Sequence, residues 1–129
     1  MDLETVRKER ESLIGGFRSC GPLLSAIGDE NRQRILTALL ETPGLRVEEI
    51  REHTDLSRPA VSHHLKVLRD AGVIVLRKKG TMNFYFPNSD PEVWEELNSL
   101  TERICEVTRD IDGNIDLEGF REALMDEYD

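Results

Sequence analysis

Ser57, Arg58, Pro59, Ser62, His63 and Lys66 set hydroxyl, guanidinium, imidazole and ammonium groups close together, and Arg77, Lys78 and Lys79 follow. Groups of these kinds hydrogen-bond to base edges and neutralise phosphates. Between Leu56 and Phe86 the only acid among six bases is Asp70, which leaves a local charge of +5. The chemistry on offer is recognition of a polyanion. No glycine-rich phosphate loop, nucleophile elbow or converging acid–base set is visible, so no catalytic residues are expected and the chain does not read as an enzyme.

Some element must hold those groups on one side. Ser57 is a good helix N-cap, and Pro59 falls in the first turn, where a missing N–H costs nothing. Val61, Leu65 and Leu68, at spacings of four and three, face inward with Ala60 and His64 beside them. Arg58, Ser62, His63, Lys66 and Pro59 are thereby turned outward, toward the N-terminal half of the helix. In a helix-turn-helix, those are the positions of the second helix that reach base edges in the major groove. Gly72 ends the helix in a left-handed cap. Val73–Arg77 and Met82–Phe86 are β-prone runs around the turn from Lys78 to Thr81, so a basic hairpin, or wing, follows. It suits Arg77, Lys78 and Lys79 to phosphates or a minor groove, with a solvated hairpin whose lysines protect an edge as the plainer alternative.

The elements around this unit are also readable. Leu3, Val6, Leu13 and Phe17 recur at near-helical spacing and predict an N-terminal helix, frayed or kinked near the glycines of Gly15-Gly16 and Gly21-Pro22. Leu23–Ile27 makes a short apolar helix. Asp29 caps a helix from Glu30 to Glu41 in which Ile35, Leu36, Leu39 and Leu40 form one buried stripe. Leu45–Val47 suits a very short strand and Glu48–His53 a short helix. Beyond Pro91, Val93, Leu97, Leu100, Ile104, Val107 and Ile111 are spaced 4, 3, 4, 3 and 4 apart, a heptad seam. A seam this regular on so charged a helix predicts packing against a second copy and against the N-terminal helix, with packing on its own core as the alternative. Two copies would set their recognition helices roughly 34 Å apart, one DNA turn, on a palindromic site.

The net charge of −9 over 129 residues argues against nucleic acid until it is divided along the chain. From Asp90 onward, 14 acids face only Arg103, Arg109 and Arg121, a net of −11, whereas residues 1–89 carry +2. Screening over about 8 to 10 Å hides a distant acidic end from a phosphate docked at the basic end. The length suits one domain with a real core. No stretch approaches the roughly 20 apolar residues that span a bilayer, and the N-terminus lacks the apolar run of a signal peptide, so a cytoplasmic protein is expected. Cys20 and Cys105 form no CxxC, and free thiols are the default.

Three segments together resemble the ArsR family of winged-helix repressors: Leu23-Leu-Ser-Ala-Ile-Gly-Asp-Glu-Asn-Arg-Gln-Arg-Ile-Leu36, Leu56-Ser-Arg-Pro-Ala-Val-Ser-His-His-Leu-Lys-Val-Leu-Arg-Asp-Ala-Gly-Val73 and Asn83-Phe-Tyr-Phe86. The resemblance runs from about Leu23 to Thr108. It implies homodimeric repressors that leave their operator when an inducer binds, and it maps the recognition positions onto Ser57, Arg58, Ser62, His63 and Lys66. The family's metal switches are missing here. Arg46 and Glu48 stand where the arsenic, cadmium and lead sensors place a cysteine pair, and an arginine does not ligate a soft metal. Residues 90–111 contain no histidine, so the Asp and His set of the zinc, cobalt and nickel sensors is absent as well. Cys105 lies where persulfide-sensing relatives keep one of two cysteines, but the other position is Thr37. Cys20 is the candidate replacement, which makes Cys20 and Cys105 a candidate redox pair, with two inert thiols as the alternative.

Two decoys fall away. Asp110–Phe120 looks like part of a calcium loop, but its glycine register puts Thr108 at the first ligand position and Gly119 where a bidentate Glu is required. Asp116 capping a last short helix, with Leu117, Phe120 and Leu124 on one face, explains the same residues. His63 and His64, as neighbours on a helix, point about 100° apart and do not converge on one ion. The expectation is a mainly α fold: a winged helix-turn-helix with a two-stranded β-hairpin wing and N- and C-terminal dimerisation helices. Residues 1–22 would be the N-terminal dimerisation helix, 23–89 the DNA-binding core, 90–111 the C-terminal dimerisation helix and 112–129 an acidic tail. The expected function is transcription regulation through double-stranded DNA, as a homodimer on a palindromic operator, with no cofactor, metal or membrane. The rival reading is a winged-helix protein-interaction module whose acidic tail binds a basic partner.

Overall fold

The structure is a computed structural model and describes residues 3–114. Its elements run α1 (Leu3–Ser19), α2 (Gly21–Ile27), α3 (Glu30–Glu41), α4 (Val47–Glu52), α5 (Arg58–Asp70), β1 (Ile74–Lys79), β2 (Met82–Pro87) and α6 (Glu92–Asn114). They group into two compact units, one of Ser19–Glu96 and one combining the chain up to Arg18 with the chain from Leu97. The final helix expected from Asp116, with Leu117, Phe120 and Leu124, lies outside the described residues.

The first unit is a winged helix-turn-helix. Asp29 starts α3 as expected: its carboxylate accepts the backbone N–H of Arg32 at 2.9 Å. That bond holds the Asp29 carboxyl below its ordinary value of 3.8, with the charges of Arg32 and His64 adding to the effect. A carboxylate whose pKa is lowered by folding contributes stability above its ordinary value and loses that contribution as the pH falls through the folded one. Asp29→Asn keeps an acceptor at the cap but cannot titrate. Urea titrations above and below pH 3.8 should therefore show a shallower acid loss of stability in Asp29→Asn than in the parent.

The core is drawn from every element of the unit. Ile35 and Leu39 of α3, Ile50 of α4, and Val61, Leu65 and Leu68 of α5 are essentially inaccessible, joined by Leu23, Ala26, Ala38, Leu45, Val73, Ile74 and Tyr85. Each large side chain contributes about 1.5–3 kcal/mol of apolar burial. The α3 stripe is narrower than expected. Leu36 is half-buried and Leu40 is 67% exposed, because at about 100° per residue Leu40 lies well round from the Ile35–Leu39 line while Ala38 fills the other flank. The expected strand at Leu45–Val47 is reduced to a single antiparallel bridge between Leu45 and Tyr85, and Val47 already belongs to α4. β1 and β2 pair antiparallel from Ile74↔Pro87 to Lys79↔Met82, so the turn is Gly80-Thr81 alone, and Lys78 and Lys79 belong to β1.

In the second unit α1 runs unbroken through Gly15-Gly16 to Ser19, where a kink or fraying was expected. Gly16 serves close approach, whereas Gly15 faces open space. A Cβ on Gly16 would lie 2.7 Å from Arg103 Nη2 and 2.8 Å from Leu100 Cδ1 of α6. Arg103 Nη1 then donates to Ser12 Oγ at 2.7 Å and to the Ser12 carbonyl at 3.2 Å. Leu100 is fully buried at this crossing within one chain.

Candidate nucleic-acid interface

Helix α5, the candidate recognition helix, is built as its sequence dictates. Ser57 is extended at φ −68°, ψ 160° and its Oγ accepts the Ala60 N–H at 3.3 Å, while Pro59 occupies the first turn. At the far end the Val73 N–H bonds back to the Leu68 carbonyl and Gly72 takes φ +78°, which closes the helix and frees the chain to enter β1. With Val61, Leu65 and Leu68 buried, Ser57, Arg58, Pro59, Ser62, His63 and Lys66 are all exposed along one face. Arg77, Lys78 and Lys79 are exposed on the wing. Strand alternation puts Arg77 and Lys79 on the face of their cross-strand partners Phe84 and Met82, and Lys78 on the opposite face with Asn83.

Local partners tune these groups. Lys66 Nζ pairs with Asp70 Oδ2 at 2.9 Å, one turn along α5. Arg58 Nη1 lies 3.3 Å from Glu48 Oε1 of α4, and Glu48 Oε2 lies 3.1 Å from Arg51 Nη1. Glu49 accepts the backbone N–H and the Nε of Arg46, each at 3.2 Å, and the backbone bond, then the guanidinium, lowers its pKa from the ordinary 4.5.

The two adjacent histidines have different surroundings. His63 is exposed, whereas His64 is half-buried with Nδ1 3.1 Å from Arg32 Nη1. Arg32 also donates from Nε to the Ala26 carbonyl at 2.6 Å and from Nη2 to the Ser25 carbonyl at 3.0 Å. One guanidinium thus ties the end of α2 and the start of α3 to the middle of α5. The imidazole rings are 5.8 Å apart and tilted by 53°. Among the described residues no three His, Cys, Asp or Glu side chains are grouped to hold a metal ion. Cys20 is buried and Cys105 is exposed beside Thr101, Glu102, Glu106 and Arg109.

The candidate dimer residues divide by exposure. Leu3 and Phe17 are 86% and 47% exposed, Leu13, Val93, Leu97, Ile104 and Val107 are half-buried, and Leu100 is taken up inside the chain. Val6 and Ile111 lie outside the residues whose side chains are described. Ile14, 52% exposed, joins this apolar set unforeseen. Sequence reasoning also missed the Arg32 strut and the Glu48–Arg58 pair. Arg32 carried a signal, since it lies three residues after the Asp29 cap. The Glu48 pair carried none, because it depends on how α4 meets α5.

Among the described residues no helix is long and apolar enough to cross a membrane. The profile of the bacterial regulatory protein arsR family matches residues 29–75, from the α3 cap to the start of β1. An HTH-type transcriptional regulator of Methanocaldococcus jannaschii is 36% identical over 70 residues, which is 54% of this chain and 79% of that protein. The transcriptional repressor SdpR of Bacillus subtilis is 37% identical over 67 residues, 52% of this chain and 73% of its own. Among solved structures, an ArsR-like transcriptional regulator from Rhodococcus superposes with a TM-score of 0.67 over 85% of this chain and 96% of that one, a likeness of fold at 22% identity. With the capped recognition helix, the wing and these relatives in agreement, the chain belongs to the arsR family of bacterial regulatory proteins, a family of transcriptional regulators.

Proposed function

We propose that the protein is a cytoplasmic, homodimeric repressor that reads a palindromic operator. The observation that carries this reading is the exposed row of Arg58, Ser62, His63 and Lys66 on a helix seated by Val61, Leu65 and Leu68, in one compact unit with the wing bases. Such a helix enters the major groove with its N-terminal residues at the base edges. The exposed Phe17 and Ile14 and the half-buried Leu97, Ile104 and Val107 favour a second copy as the partner that covers them. The name of the Bacillus relative supports repression as the outcome.

The inducer is not one of the family's usual metals, since Arg46 and Glu48 stand at the cysteine positions and residues 90–111 hold no histidine. Selecting bound fragments from a random duplex library tests the reading. It should return one inverted repeat, and placing that repeat at a reporter promoter should lower expression when the protein is present. A library with no enriched motif would leave the protein-interaction reading.

The wing bases have a separate signature. Replacing Lys78 and Lys79 by alanine should weaken all duplexes alike and reduce the slope of log K against log salt by about 1 per lysine. Anisotropy titrations of the selected and random duplexes over a salt series read both quantities.

A further inference from the structure

A carboxylate stands on the basic face. Glu48, in the first turn of α4, places Oε1 3.3 Å from Nη1 of Arg58, the first residue of α5, and Oε2 3.1 Å from Nη1 of Arg51. Among the described residues this is the one ion pair that joins two helices. Two further acids in the region pair within their own segment, Glu49 with Arg46 and Asp70 with Lys66. The pair opens onto a recess of about 280 Å³ whose other walls are Arg46, Val47, Thr81, Met82 and Asn83, between the starts of both helices and the wing turn. Glu48 and Arg58 are 57% and 66% exposed, and a pair so exposed adds little to folding stability. Its position on the recognition surface calls for a different account.

We infer that Glu48 is a positioning residue for Arg58 that determines specificity, by suppressing sequence-blind capture of phosphate. The inference rests on the DNA-binding reading above. A free arginine at the start of a recognition helix presents five donors on a long stem and takes any phosphate within reach. Glu48 stands 3.3 Å from one Nη of that fork and, shared with Arg51, offsets part of its charge, so the remaining N–H groups are held for a base edge in one register. In other registers the carboxylate meets phosphate, and like charges repel. Specificity is a difference of affinities, and a group that weakens wrong complexes more than the right one raises it.

The test uses the full chain carrying Glu48→Gln, Arg58→Ala and both together, each titrated by anisotropy against the selected palindrome and a random duplex over a salt series. Thermal unfolding of each variant at the parental Tm establishes that all of them fold. Glutamine retains the size of Glu48 and an acceptor for Arg58 but removes the charge. Glu48→Gln should bind the random duplex roughly 3- to 10-fold more tightly, with a salt slope steeper by about 1 per protomer, while the palindrome gains less, so the ratio of the two affinities falls. In the Arg58→Ala background the same substitution should change that ratio by less than about twofold, because the two residues act as one unit. An unchanged ratio in Glu48→Gln overturns the inference. An equal change with and without Arg58 overturns it too, since Glu48 would then act on bases or on the fold directly. If the parent protein does not distinguish the two duplexes, the DNA-binding reading itself fails, and this inference with it.

Discussion

Replacing Ile14 and Phe17 with glutamate should split the proposed dimer and lower affinity for its palindrome by roughly 10²- to 10⁴-fold, the gain that linking two half-site readers supplies. Both residues lie on α1 and are about half exposed in the single chain, at 52% and 47%, so charge there need not be buried for the chain to fold. In a symmetric interface each substitution appears twice, and four carboxylates would be brought together in an apolar seam. Desolvating them without partners costs more than such an interface supplies. The recognition helix is untouched, so binding to a single half-site should keep its base preference. Sedimentation should show a monomer with unchanged helix content by circular dichroism. A variant that stays dimeric would place the interface on another face.

The second large effect concerns base reading. Ser62→Ala with His63→Ala should lower the preference for the palindrome by about 1–3 kcal/mol at each base pair that the pair reads, and the loss counts once per half-site. Both side chains are exposed in mid-helix and neither has a packing duty: the cap is Ser57, the inward stripe is Val61, Leu65 and Leu68, and the bond to Arg32 belongs to His64. Stability should therefore hold while random-duplex affinity and salt slope stay close to the parent. That pattern is the opposite of the one expected for Lys78 and Lys79. Motif selection repeated with the double variant should return a repeat degenerate at defined positions. An intact motif would show that neither residue reads bases.

What was legible in the chain beforehand follows from the range of the interactions concerned. Ser57, Pro59, the 61–65–68 stripe and Gly72 are local signals, and they specify α5 from cap to cap because each acts within a turn or two of its own position. The hairpin was legible for the same reason. Leu40 was misjudged because an apolar residue at the edge of a stripe is buried only if a neighbour reaches it, and the neighbours of α3 cover the Ala38 side instead. Gly15-Gly16 was misjudged by the same logic in reverse. Glycine weakens an isolated helix, but at Gly16 the missing Cβ admits Leu100 and Arg103 of α6. Leu45 could form only a bridge, since Val47 was drawn into α4.

The interface shows the same division. Every base proposed for it is exposed, because exposure of a charged residue beside an apolar stripe needs only helix geometry, although Lys78 and Lys79 lie on β1 rather than in the turn where the sequence put them. Missing from the sequence were two connections around those bases: Glu48 beside Arg58, and Arg32 bracing His64, the inward neighbour of His63. Each joins elements that meet only after folding.

Whether a dimer distinguishes one palindrome from other DNA is decided by titrating the parent protein against the selected palindrome and a scrambled duplex of equal length at physiological salt. Two protomers per palindrome, an affinity ratio of at least roughly 10³ and a log K that falls linearly with log salt are the predicted result. Weak and equal binding to both duplexes would contradict it.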